Sequence, residues 1–372
     1  MKNLSNPTIV LGGGFAGLFA ALHLAGGNYP EPIILIDCDE RFTFKPLLYE
    51  LLSEEMSETQ VCPRFSELLS GRNITFVRDR AQKIDLQRRQ IELASGLNYS
   101  YKNLVLGIGS AVNYFGVEGA KENAIPFRSG EDASKLRTHL RNCLQRASQI
   151  ADTAERRRLL TVAMVGAGPA GVELAATLGD LLPKWYSDLG GDPEDIRLVV
   201  LELTSNMLVG DINDPVREVA KKALQERTVP VDVRFERKVT RVGGHEVEFK
   251  DKSDNVEILP AATTIWTGGV KTHPLIKALE VPEEKRDRQG RLLVSPTLQL
   301  LDFPEVFAGG DCCAQQQENL PPLAQVAYQQ GAAIATNLSA LSGGGQLVSA
   351  DVNLHGSLLK LGLGKSAASL FH

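Results

Sequence analysis

The chain has 372 residues, a length that suggests about two and a half domains. With 40 Lys and Arg against 45 Asp and Glu, its net charge of −5 offers no positive field to gather nucleic acid. Hydrophobic residues at 43% and charged residues at 23% exclude extensive disorder.

The N-terminus enters an apolar run directly, without a charged-then-apolar leader. Thr8–Leu11 ends in Gly12-Gly13-Gly14-Phe15-Ala16-Gly17, and apolar residues then recur at helical spacing through Leu18, Ala21, Leu22 and Ala25. Ile33–Asp37 is a second apolar strand, closing on an acid. Asn103–Ser110 is a third, closing on a glycine turn that includes Gly109. The pattern then repeats. Thr161–Val165 ends in Gly166-Ala167-Gly168-Pro169-Ala170-Gly171, followed by Val172, Leu174, Ala175, Leu178 and Leu182. Leu198–Glu202 again closes on an acid, and Thr263–Gly269 closes on a glycine turn that includes Gly268. Residues 159–182 are long enough for a membrane span. They contain Glu173, Asp180 and a Gly/Pro loop, so they read as strand, turn and helix. Between Gly171 and Glu202, Pro183–Ile196 reads as a loop on its Pro, Gly and Asp content.

This duplication predicts an α/β protein of two Rossmann-like dinucleotide-binding domains, the second inserted in the first. The expected division is 1–120 and 270–340 for the first domain, 121–269 for the second, and 341–372 for a C-terminal segment. The chain would cross near 113–128 and 270–280, returning through Val306–Asp311 and a helix around Leu323–Leu338.

Each glycine has a physical task. Gly12 and Gly166 permit the tight turn, Gly14 and Gly168 let backbone approach a pyrophosphate, and Gly17 and Gly171 let helix pack on strand. Phe15 and Ala16 begin a helix whose free amides face the phosphates. Asp37 lies 20 residues after Gly17, where an acid accepts from an adenosine ribose. Glu202 takes the same part in the second copy, at a longer spacing of 31 from Gly171. A carboxylate there repels a 2′-phosphate, and residues 203–210 hold no Lys or Arg, so NADH is expected over NADPH.

The five cysteines, Cys38, Cys62, Cys143, Cys312 and Cys313, show no CxxC and no zinc-like spacing. Neither a disulfide scaffold nor a metal site is expected, all five are read as non-catalytic, and a reducing, cytoplasmic setting is the default.

These residues resemble the two-dinucleotide-binding-domain flavoproteins of glutathione-reductase-like fold. Val306-Phe307-Ala308-Gly309-Gly310-Asp311 is similar to their third element, in which the Asp hydrogen-bonds the ribityl chain of FAD. Within that superfamily the chain resembles the type II NAD(P)H:quinone oxidoreductases. Phe44-Lys45-Pro46-Leu47-Leu48-Tyr49 is similar to their F-x-P-L-L-Y segment, Gly171-Val172-Glu173-Leu174-Ala175 to GVELA, and Ala324-Gln325-Val326-Ala327-Tyr328-Gln329 to AQxxxQ. The likeness runs from about residue 8 to 364. A narrower one, through Arg41–Pro46, Tyr49–Ser53 and Pro63–Leu69, is to the cyanobacterial and plastid branch, whose substrates include demethylphylloquinone.

The resemblance implies FAD on the first loop and NADH, with NADPH as the alternative, on the second. It implies hydride transfer from nicotinamide to flavin and two electrons passed to a prenylated naphthoquinone or benzoquinone. Lys45, Gly109, Ala324 and Gln325 would lie near the flavin, and Gly268 in the nicotinamide nucleotide site. Gln325 and Gln329 share a helix face and would bond the flavin edge or a quinone carbonyl, although such a pair is by itself a solvated face. Glu173 would aid proton movement; read alone, an acid early in a helix is explained by the helix dipole. Family members continue into amphipathic membrane-holding helices, so Leu358–Lys365 and Leu370-Phe371-His372 are expected to begin a surface anchor or pack on the FAD domain. Peripheral contact with a plasma or thylakoid membrane and a homodimer are also expected. The rival readings are a sulfide:quinone reductase, an NADH oxidase, and a nicotinamide-sensing flavoprotein without enzymatic activity.

Overall fold

The computed structural model describes residues 6–210, 212–316 and 320–370. The chain opens with strand β1 (Thr8–Leu11), helix α1 (Phe15–Gly26) and strand β2 (Ile33–Asp37). Helix α2 (Leu48–Ser53), strands β3 (Ile74–Arg78) and β4 (Asn103–Leu106) and helix α3 (Gly130–Ala147) follow. Next come strand β5 (Thr161–Val165), helix α4 (Pro169–Ser187), strand β6 (Arg197–Leu201), helix α5 (Asp214–Gln225) and strands β7 (Val231–Arg234) and β8 (Thr263–Trp266). Strand β9 (Phe303–Ala308), helix α6 (Ala324–Ser342) and the strands β10 (Gly356–Lys360) and β11 (Ser366–Leu370) complete it. No helix among the described residues is long and apolar enough to cross a membrane.

Two compact units result. The first comprises residues 1–44, 62–111 and 270–354; the second comprises 45–61, 112–269 and 355–372. In the first, β9, β4, β1, β2 and β3 lie side by side in that order, all parallel. Every residue of β1 and β4 is buried, as a parallel strand covered on both faces requires. Helix α1 packs on α6, and Gly331 permits it: a Cβ there would overlap the Ala16 carbonyl. In the second unit β7, β6, β5 and β8 repeat the arrangement, with residues 125–126 added at the β8 edge. The first strand of each unit is thus flanked by the second on one side and by a late strand on the other. That reversal leaves a crevice at the carboxyl end of β1 and of β5, where this class of sheet binds its ligands.

Two stretches differ from their sequence reading. Pro183–Ser187 is the end of α4, not loop, and the helix runs through Pro183. Proline has no N–H for the carbonyl four residues back, yet the orphaned Gly179 carbonyl accepts the Val229 amide at 2.9 Å. Gly179 also lets the Arg227 stem lie against the helix, since a Cβ would sit 2.8 Å from the Arg227 Cβ. The segment 356–370 forms an antiparallel hairpin, β10 with β11, packed on α4 and α5 of the second unit rather than on the first. The burial of Leu359 and Leu361, each 2% exposed, drives that packing, while Leu358 faces solvent. Phe371 and His372 lie outside the described residues.

Candidate functional site

At the first loop Gly12 takes φ +96°, a conformation that favours glycine, and a Cβ there would press on the Gly107 carbonyl at 2.6 Å. A Cβ on Gly17 would overlap the Gly12 carbonyl. Gly14, by contrast, is exposed, with the Gly107 carbonyl at 3.7 Å the nearest atom to a Cβ. Two glycines therefore close the turn and the middle one leaves backbone open to a ligand. Gly14 also caps α1 without a side-chain bond, and α1 has no acid in its first turn, so the amides of Phe15, Ala16 and Gly17 stay available to an anion. Asp37 Oδ2 accepts the Gly13 amide at 2.5 Å and Oδ1 accepts the Asp39 amide at 2.8 Å. Cys38 bonds the same carboxylate, which still keeps an acceptor position for a ribose hydroxyl. The donor set fits a dinucleotide pyrophosphate and ribose.

The second unit builds the same site. Gly166 takes φ +105° against Gly268, whose Cα would be 2.8 Å from a Cβ. A Cβ on Gly171 would overlap the Gly166 carbonyl, and Gly168 faces open space. Glu202 Oε2 accepts the Ala167 amide at 2.7 Å, as Asp37 does for Gly13. Its Oε1 accepts the Thr204 amide at 2.8 Å. Thr267 and Trp266 fasten the glycine turn after β8, Thr267 Oγ1 to the Val165 carbonyl at 3.0 Å and Trp266 Nε1 to the Gly268 carbonyl at 2.7 Å.

Asp311 follows β9 in the first unit, and its Oδ2 accepts Ser110 Oγ at 2.8 Å. A cavity lined by Gly310, Asp311, Leu323, Val326 and Gln330 opens beside it. Gly109, at φ +64°, has nothing within 4 Å of a Cβ. Ala324 and Gln325 open α6, both half-buried. The Gln329 amide is occupied: Nε2 donates to the Gln325 and Asn353 carbonyls at 2.9 Å, and Oε1 accepts the Asn353 amide at 2.9 Å. Its neighbour Gln330, which no motif singles out, is buried and accepts the Gly310 amide at 2.7 Å, so it holds the Gly-Gly-Asp turn. Lys45 is exposed on the short turn Lys45–Leu47 and clusters with the second unit.

Glu173 is the fifth residue of α4, beyond the first turn, so the helix dipole does not account for it. Its Oε1 accepts the Lys360 amide at 2.8 Å, and its carboxylate bonds the hydroxyl of Tyr49, a residue 5% exposed. Burial pushes its pKa up to about 7; the Lys360 amide and the Tyr49 hydroxyl pull the other way, while Glu50 adds to the rise. Lys360 Nζ is shared between Glu50 and Glu55, 2.9 Å from each. Burial works against that ammonium, but the two acids more than offset it and its pKa is raised. Spacing alone could not find Tyr49 or Lys360 as partners of Glu173. None of the five cysteines is in a disulfide. Burial, then Asp37 and Asp39, raises Cys38 to about 11, away from the thiolate a nucleophile needs.

The model of the pyridine nucleotide-disulphide oxidoreductase family matches residues 6–331. The demethylphylloquinone reductase NdbB of Synechocystis is 32% identical over 366 residues, covering 95% of this chain and 84% of that protein. The alternative NAD(P)H-ubiquinone oxidoreductase C1 of Arabidopsis thaliana is also 32% identical, over 86% of this chain and 64% of its own length. In fold, the chain superposes on Plasmodium falciparum NDH2, solved with NADH, at a TM-score of 0.86 and 19% identity, covering 98% of this chain and 90% of that one. A family match spanning both glycine loops, and relatives alike over nearly the whole chain, show that it belongs to the pyridine nucleotide-disulphide oxidoreductases and, among them, to the type II NADH:quinone oxidoreductases.

Proposed function

We propose that the chain is an FAD-dependent NAD(P)H:quinone oxidoreductase, with FAD held by the first unit and NADH by the second. The repetition of one phosphate-cradling geometry in two units carries this reading, because each cradle suits one dinucleotide. When bound, the flavin takes a hydride from the nicotinamide and gives two electrons to a quinone, which needs two protons to become the quinol.

The chain's own residues bind, orient and handle protons. Gly12, Gly14 and Gly17, with the first amides of α1, would hold the FAD pyrophosphate, Asp37 its adenosine ribose and Asp311 its ribityl chain. Gly166, Gly168 and Gly171 would hold the NADH pyrophosphate and Glu202 its ribose, with Gly268 closing the pocket. Preference for NADH rests on charge: Arg237 lies near Glu202 in the fold, but its side chain is turned to Glu257 at 3.5 Å and to the Phe235 carbonyl. Glu173, held near half-ionisation at neutral pH, would take and return a proton at its carboxylate oxygens. Ala324 and Gln325 would border the flavin. The similarity to the Synechocystis enzyme supports a prenylated naphthoquinone, demethylphylloquinone being the first candidate. A sulfide:quinone reductase would need a cysteine relay; here the Cys312 and Cys313 thiols donate to backbone carbonyls.

The test is anaerobic mixing of flavin-loaded protein with NADH, then with a short-chain naphthoquinone, while the oxidised flavin band is followed. Rapid bleaching followed by quinone-dependent recovery is expected. Bound flavin that NADH fails to bleach would overturn the proposal.

A further inference from the structure

We propose that Asp180 and Arg227 are positioning residues that clasp the turn of the C-terminal hairpin and so hold the Lys360 amide on the Glu173 carboxylate. The proposal rests on the reading of Glu173 as the proton-handling group.

Glu173 and Asp180 stand seven residues apart on α4, two helical turns and so about 10 Å along one face. Each accepts a backbone amide from the hairpin. Lys360 N donates to Glu173 Oε1 at 2.8 Å, and Leu363 N donates to Asp180 Oδ2 at 2.9 Å. The same Asp180 oxygen takes Arg227 Nη1 at 3.0 Å. Arg227 is 6% exposed, and its Nε donates to the Ala223 carbonyl at 2.8 Å. A guanidinium buried this far must be matched, which fixes Asp180 and with it the turn. Between the two amides Gly362 takes φ +110°, and a Cβ there would overlap the Arg227 guanidinium. The clasp thus demands glycine at 362 twice over, by conformation and by space.

The charged and titratable groups facing Glu173 are few. From α2 come Tyr49 and Glu50; from the hairpin comes Lys360, whose ammonium bridges Glu50 to Glu55. Arg137 and Arg141 of α3 are taken up by Glu54 instead. The hairpin supplies a hydrogen bond to Glu173 and shares in its burial, and burial heads the causes that raise its pKa. Releasing the clasp therefore lets water in and returns the carboxyl toward its ordinary range.

Three variants of the flavin-loaded full chain test this: Asp180→Asn, Gly362→Ala, and the double variant Asp180→Leu with Arg227→Met, which leaves no charge stranded. Two properties are read: amide exchange at Lys360 and Leu363, and the pH profile of NADH:naphthoquinone turnover. In the two single variants exchange at both amides should accelerate by about tenfold or more, the scale of one lost charge-assisted bond. The limb of the profile near neutrality should move to lower pH in the same variants, and the double variant should follow them. A folded variant whose Leu363 amide is released while Lys360 exchange and the limb stay as in the wild type would overturn the clasp. Glu173→Gln separates the two readings. If it leaves the wild-type profile unchanged, the proton-handling role falls, and Lys360 exchange still decides whether Asp180 and Arg227 hold the hairpin.

Discussion

Glu173 shows how little one residue's letter says about its state. Its neighbours in sequence offer a helix start, whereas its protonation is set first by burial, against the pull of Lys360, 187 residues later, and of Tyr49. A carboxyl raised to about 7 keeps a proton in the folded chain that the unfolded chain, ionising near 4.5, has already lost. Stability should therefore fall as pH rises from about 4.5 to about 7 and then level off, by roughly 3 kcal/mol in all. Glu173→Gln removes that slope: its unfolding midpoint in urea should gain on the wild type at pH 8 relative to pH 5. The same variant should keep its flavin and turn over more slowly, losing the limb near neutrality. Parallel stability curves for the two proteins would show that the carboxyl is ionised throughout.

Whole elements hold similar lessons. Proline and glycine content made Pro183–Ile196 read as a loop, because local rules count the hydrogen bond proline cannot make. The missing donor matters little once Val229 supplies another for the same acceptor, Gly179. On α6, Gln329 and Gln330 are adjacent letters about 100° apart around the helix, and the motif carries no sign of which one braces Gly310. Arg286 does comparable work for the connection after residue 273. It is 8% exposed, and its guanidinium caps the carbonyls of Ile276, Leu279, Val281 and Gly290 at 3.0–3.3 Å. Arg286→Met would strand those carbonyls in the interior. It should destabilise the first unit by about 2–4 kcal/mol, read as a lower urea midpoint. Arg286→Lys should recover part of the loss, since an ammonium reaches fewer of the four. A midpoint unchanged in Arg286→Met would show that water serves these carbonyls equally well.

At the scale of the whole molecule the two units invite separate disablement. A Cβ at Gly17 would overlap the Gly12 carbonyl, and one at Gly171 would overlap the Gly166 carbonyl. Gly17→Ala should purify with little flavin absorbance. Gly171→Ala should keep its flavin, with bleaching by NADH slowed at least about tenfold, the cost of a misplaced cofactor. Equal loss of flavin from both variants would contradict the division of labour between the loops.

Local pattern was enough for the parallel α/β architecture, the two glycine turns, the acid that ends β2, the acid that follows β6, and the family. Those features are legible because spacing and side-chain size within short segments signal strand, turn and helix, even where a turn meets a distant partner, as Gly12 meets Gly107 and Gly166 meets Gly268. Only the folded chain gathers residues 45–61 and 355–372 with the second unit, and only there do Glu173 and Asp180 meet the Lys360 and Leu363 amides and Arg227. It also decided the charge state of Glu173. Desolvation is summed over every segment that covers a group, and the residues that face this one, Tyr49, Glu50 and Lys360, come from two parts of the chain far from it in sequence.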